Sequence, residues 1–125
     1  MKILGINWVG VKTADFDLTR SFFAEVMGLR VTFERPDFAV MRLPNGAKVE
    51  IFGPAGPDPD SQFAENAVVA GFLVDDIEAA RAELLAGGVE LLGEIEGRPG
   101  GDRWQHFRSP DGKVFELCSD AQIPG

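Results

Sequence analysis

The chain has 125 residues, 45% of them hydrophobic and 26% charged, enough for one compact domain with a buried core and too few for two full-sized ones. Twenty acidic residues against twelve basic ones leave a formal net charge of −8, which repels phosphate backbones and anionic lipid heads, so neither nucleic acid nor a membrane is an expected partner. The single cysteine, Cys118, has no partner for an internal disulfide, and with no zinc-type Cys/His spacing the expected compartment is the reducing cytoplasm.

From the amino terminus, the apolar stretch Met1 to Trp8 is broken by Gly5 and Asn7 before a signal-peptide core could form. No run approaches the roughly 18 apolar residues of a membrane span. Trp8-Val9-Gly10-Val11-Lys12-Thr13-Ala14-Asp15-Phe16 reads as a strand running into an aspartate that caps a helix. Phe16, Phe23 and Val26 then recur at helical spacing and predict an amphipathic stripe, ended by Gly28. Leu29 to Arg35, Asp37 to Leu43 and Ala47 to Phe52 are short, rich in valine and phenylalanine, and read as hairpin-forming strands.

Gly53-Pro54-Ala55-Gly56-Pro57-Asp58-Pro59-Asp60 has no periodicity and reads as a linker, expected to span a gap rather than to cover a pocket. Beyond it the chain repeats itself. Val69-Ala70-Gly71-Phe72-Leu73-Val74-Asp75-Asp76-Ile77 matches the segment from Trp8 to Phe16, and Pro110-Asp111-Gly112-Lys113-Val114-Phe115-Glu116-Leu117 matches Pro44-Asn45-Gly46-Ala47-Lys48-Val49-Glu50-Ile51. The second helix carries Ile77, Ala80 and Leu84 on its apolar face and stops at Gly87-Gly88. Val89 to Glu96, Arg103 to Ser109 and Lys113 to Cys118 are its three strands. The cluster Gly97-Arg98-Pro99-Gly100-Gly101 does not precede a helix and carries no phosphate-binding signature.

The paired βαβββ pattern, the Val74-Asp75-Asp76-Ile77 helix entry, the Gly-Leu-Arg after the first helix and Ser109-Pro110-Asp111-Gly112 before Phe115-Glu116-Leu117 resemble the vicinal oxygen chelate superfamily of glyoxalases, bleomycin-resistance proteins and extradiol dioxygenases. The resemblance spans residues 3 to 119 and implies an α+β fold of two tandem βαβββ modules, about 3–53 and 67–119 joined by a linker at about 54–66. In that family the curved mixed sheets enclose a cavity, the helices lie on the outer face, and homodimers are usual. Its four usual metal ligands lie on the first and last strand of each module. The last-strand positions match Glu50 and Glu116, both hard oxygen donors, whereas the first-strand positions fall on Trp8 and Val69. A divalent metal is therefore possible yet disfavoured, since a catalytic site needs about three protein ligands. A tryptophan there suits stacking an organic ligand.

His106 is the only imidazole. A three-residue hairpin loop at Pro110-Asp111-Gly112 pairs Ser109 with Lys113 and sets His106 opposite Glu116, as the matching turn sets Val40 opposite Glu50. Trp104, His106 and Arg108 then share a face with Val114, Glu116 and Cys118, while Phe107, Phe115 and Leu117 turn to the helices. A one-residue slip would reverse this. The candidate catalytic residues are thus Glu116 and His106, the candidate ligand-binding residues Trp8, Glu50, Trp104 and Arg108, and the candidate metal ligands Glu50, Glu116 and His106. Bland alternatives stand beside each: a structural His–Glu pair, solvated glutamates, core tryptophans, and Cys118 as a small buried hydrophobe.

Three functions fit these residues. The first is a small-molecule-binding protein, lyase-like or ligand-sequestering, in which carboxylates and tryptophans hold a cationic aromatic compound. A metal-dependent glyoxalase or epimerase-type enzyme using Glu50, Glu116 and His106 is the alternative. The last is a non-catalytic interaction domain. The resemblance implies a homodimer with a small-molecule ligand, the lone cysteine fits the cytoplasm, and the identity of that ligand is not legible in one chain.

Overall fold

A computed structural model of the chain describes residues 1–57, 63 and 65–120. The chain divides into two compact units, one of Asn7–Val69 and one of Met1–Ile6 with Ala70–Gly125. Among the described residues the elements run β1 (Ile3–Lys12), α1 (Phe16–Ser21) continuing into a π-helical turn (Phe22–Val26), β2 (Arg30–Arg35), β3 (Phe38–Arg42), β4 (Lys48–Phe52), β5 (Val68–Val74), α2 (Ile77–Ala86), β6 (Leu91–Gly97), β7 (Arg103–Arg108) and β8 (Val114–Ser119). This is the expected α+β fold of two tandem βαβββ modules with mixed sheets.

In the unit of Asn7–Val69 the strand order is β2-β3-β4-β1. β1 runs parallel to β4 with Gly10 beside Glu50, and β3 is antiparallel to β4 with Val40 beside Glu50, as the turn at Asn45-Gly46 predicts. Alternation sends Ala39, Met41, Val49 and Ile51 to one face, where Phe16 and Phe23 of the helical segment pack on them. Asp15 caps α1 by accepting from the Leu18 N–H at 3.1 Å.

The expected apolar stripe holds for Phe16 and Phe23 and fails at Val26, which is 74% exposed. The π-helical turn is the reason. With the Met27 N–H bonded to the Phe22 carbonyl at 3.0 Å, the turn takes in one more residue than an α-turn and rotates Val26 off the core face.

The other unit mirrors this with strand order β5-β8-β7-β6. Gly71 lies beside Glu116 on parallel strands, and His106 opposite Glu116 on antiparallel ones. The register expected from Ser109 and Lys113 is the one observed, with the Ser109 N–H donating to the Lys113 carbonyl at 2.8 Å. Asp76 caps α2 through the Ala79 N–H at 3.0 Å. Ile77, Ala80 and Leu84 pack with Val74, Leu117, Phe72 and Phe107 into a second core.

Residues 58–62 and 64 of the expected linker lie outside the described residues. Its start is wrapped closely around the β2–β3 turn. Asp37 there adopts a left-handed φ of 57°, its carbonyl accepts the Gly53 N–H at 2.8 Å, and its carboxylate accepts the Ala55 N–H at 2.8 Å. A Cβ on Gly56 would stand 2.2 Å from the Asp37 carbonyl oxygen, so only glycine permits the approach.

Candidate functional site

In the first module the sheet face opposite the helix is aromatic. Trp8 and Gly10 of β1, Phe38 and Val40 of β3, and Glu50 and Phe52 of β4 all point to it by strand alternation and register. Edge-to-face and tilted ring pairs join Phe33 to Phe38 (6.1 Å between centroids), Phe38 to Phe52 (5.1 Å), Phe52 to Phe63 (5.3 Å) and Phe63 to Trp8 (5.9 Å). The guanidinium of Arg35 sits over the Phe38 ring at 5.3 Å.

Glu50 lies within this apolar surface, half-buried. The indole Nε1–H of Trp8 donates to Glu50 Oε1 at 2.5 Å. A neutral donor orients the carboxylate without supplying a countercharge. Gly10 makes this geometry possible. A Cβ at position 10 would stand 2.2 Å from Trp8 Cη2 and 2.5 Å from Phe63 Cζ, so both rings rest where a side chain would otherwise be.

The second module carries the matching positions with different chemistry. Where the first has Gly10, Glu50 and Val40, it has Gly71, Glu116 and His106. Val69, two residues before Gly71 on β5, stands in the place of Trp8. His106 is 4% exposed and Glu116 5%, and His106 Nε2 is 3.9 Å from Glu116 Oε1, beyond direct hydrogen bonding. Burial away from water pushes the imidazole down to a pKa of about 4, so it is neutral at pH 7.

The structure thus brings the sequence candidates together in pairs. Trp8 meets Glu50, and His106 meets Glu116. Trp104 shares the His106 face through its pairing with Cys118, but its Nε1–H donates outward to Glu96 on β6 at 2.6 Å. Arg108 is held by the Glu90 carboxylate at 2.8 Å and the Gly112 carbonyl at 2.9 Å, in an ion pair open to water. Cys118 is buried and donates to the Phe72 carbonyl at 3.5 Å.

Three residues on or next to these faces have no counterpart among the sequence candidates. Gly10 was visible as the match of Gly71 in the repeat, and its role appears once each glycine is seen beside a glutamate. Phe63 belongs to an aperiodic segment, where nothing distinguishes a buried ring from an exposed one. Gln105 is fully buried on the helix side between two residues of the other face, accepting from Arg81 Nε at 2.9 Å and donating to the carbonyls of Leu92, Gly93 and His106.

The divalent metal implied by the resemblance does not fit this donor set. Trp8 and Val69 supply no ligand atom, Glu50 Oε1 is engaged by the indole, and His106 and Glu116 lack a third His, Cys, Asp or Glu donor among the described residues. Among the described residues no three His, Cys, Asp or Glu side chains are grouped to hold an ion. No helix among them is long and apolar enough to cross a membrane.

Comparison with solved structures gives similar folds. A glyoxalase/bleomycin resistance protein/dioxygenase superfamily member from Vibrio splendidus 12B01 is 26% identical, with a TM-score of 0.65 over 90% of this chain and 96% of that one. The Mn(II)-bound glyoxalase from Novosphingobium aromaticivorans is 26% identical with a TM-score of 0.71, covering 96% of this chain and 40% of that one. Methylmalonyl-CoA epimerase from Mycobacterium tuberculosis shares the fold, at 19% identity and a TM-score of 0.72 over 98% of this chain and 90% of that one. No curated protein matches the sequence. The family model for the Glyoxalase/Bleomycin resistance protein/Dioxygenase superfamily matches residues 5–117, and with the duplicated βαβββ fold it establishes that the chain belongs to this superfamily.

Proposed function

We propose that the protein binds a small cationic aromatic molecule on the aromatic face of its first module, sequestering it without metal chemistry. The observation that carries this reading is the Trp8–Glu50 pair, which puts an oriented carboxylate among aromatic rings where the superfamily's usual first-strand ligand would stand. A cation is attracted both by the carboxylate and by the negative faces of the rings, and a planar ligand gains stacking area. In this reading the modules of about 3–53 and 67–119 form one cytoplasmic domain that works as a homodimer.

A second reading, metal-free proton transfer by a lyase or isomerase, is favoured by the burial and closeness of His106 and Glu116. It is the weaker of the two, because an imidazole held at about 4 is a feeble general base at neutral pH. Fluorescence titration with ethidium, a planar aromatic cation, separates them. Micromolar binding is expected for the wild type, weakened about tenfold or more in Glu50→Gln and in Trp8→Leu and changed less than about twofold in Glu116→Gln. Binding that survives unchanged in Glu50→Gln, or no binding at all, overturns the proposal.

A further inference from the structure

We infer that the Phe63 ring is the resident occupant of a ring niche on the first module's aromatic face, and that a ligand's aromatic ring reaches Trp8 and Glu50 by displacing it. The inference rests on the binding reading above and concerns how that site is regulated.

Phe63 comes from the connecting segment, not from a strand, yet it is 1% exposed. It belongs to neither helix-side core cluster. Its ring stands nearly perpendicular to Trp8 at 80° and to Phe52 at 78°, the edge-to-face geometry that an aromatic ligand would adopt between the same two platforms. Its tip lies over the bare backbone of Gly10, beside Glu50 in the parallel register. The sheet itself supplies no side chain for that spot, because position 10 has none. The space is therefore a ring-sized niche, and the chain fills it with one of its own rings.

Two hydrogen bonds involve described backbone at and beyond Phe63. The Asn66 N–H donates to the Phe63 carbonyl at 2.9 Å, and the Lys12 N–H of β1 donates to the Ala67 carbonyl at 2.8 Å. Displacing the ring opens the niche, and its return closes the site when the ligand leaves. Turning one buried phenylalanine into water lowers the apparent affinity for a competing ring by about ten- to a hundredfold, since only the open fraction binds. Phe63 is thus an autoinhibitory contact that sets a threshold for ligands able to repay that loss through both stacking and charge.

The test uses the full chain as wild type, Phe63→Ala and Phe63→Leu, titrated calorimetrically with toluene and by fluorescence with ethidium. Toluene is expected to bind Phe63→Ala and raise its thermal midpoint while leaving the wild type unaffected. Ethidium is expected to bind Phe63→Ala about ten- to a hundredfold more tightly than wild type and Phe63→Leu several-fold more tightly, because leucine refills part of the niche. Where ethidium binds the wild type, weaker or unchanged binding in the variants makes Phe63 a wall of the site and overturns the inference, as does a folded Phe63→Ala protein that takes up neither compound. If Phe63→Ala does not fold, the ethidium affinity of Phe63→Leu decides by the same criterion. Toluene binding to Phe63→Ala with no ethidium binding to any form would sink the cationic-ligand reading and leave the niche standing.

Discussion

His106 and Glu116 are both buried, and their nearest polar atoms stand 3.9 Å apart, so the pair is close without being a direct hydrogen bond. The desolvated imidazole stays neutral until about pH 4, whereas in the unfolded chain it takes a proton near 6.5. Between those values the unfolded state binds more protons than the folded one, so stability rises with pH. This contribution is fully present above pH 6.5 and is lost as the pH falls toward 4, in total roughly 3 kcal/mol. The chain has no second histidine to blur the window. Urea denaturation from pH 7 to 4.5 is expected to show a falling unfolding free energy in the wild type and a flatter profile in His106→Asn. A wild type as flat as that variant would mean the imidazole is solvated. That His106 faces Glu116 was legible in the sequence, because a turn of known length fixes the pairing of everything beyond it. The gap between their polar atoms was not, since it depends on rotamers chosen by the packing around them.

At the scale of elements, the duplicated strand and turn signals placed seven of the eight strands of the described chain and both capped helices to within a residue or two, whereas β1 starts at Ile3, five residues before the repeat signal at Trp8. Expectation and structure part also at Val26 and in β6. The π-helical turn at Phe22–Val26 follows no local signal and moves Val26 into solvent. In β6 the pairing with β7 shifts between Leu92 and Glu96, and Gln105 reaches into that irregularity. Its amide donates to Leu92 O at 3.3 Å, Gly93 O at 3.0 Å and His106 O at 2.9 Å while its oxygen accepts from Arg81. One side chain thus supplies bonds that the interrupted ladder withholds and ties α2 to the sheet. Gln105→Ala removes the donor from the buried His106 carbonyl and from the carbonyls of half-buried Leu92 and exposed Gly93, and a loss of about 1 to 3 kcal/mol in unfolding free energy is expected. Faster hydrogen exchange should concentrate in β6 and the adjacent part of β7. Exchange spread evenly over the module would mean that Gln105 contributes general packing only.

Over the whole molecule the two modules have the same fold and unequal chemistry. One matched triplet reads Gly10, Glu50 and Val40 beneath an indole, and the other Gly71, Glu116 and His106 with Val69 in the indole's place. Superfamily membership was legible because it rests on repeated turns and caps. The ligand face was legible only in outline, because Trp8 folds over Gly10 and Phe63 arrives from a segment without periodicity. The net charge of −8 adds a property that belongs to no single residue. A negative field draws a cation toward the carboxylate of Glu50 from a distance and is screened within about 10 Å at 0.1 M salt. Stopped-flow association of ethidium should therefore slow several-fold between about 20 and 300 mM salt, while its dissociation changes little. Phenanthridine, a neutral ring system of similar shape, should associate at a rate nearly independent of salt. Equal salt dependence for the two would show that the field does not steer the ligand, and would place any preference for cations in the short-range contact with Glu50 alone.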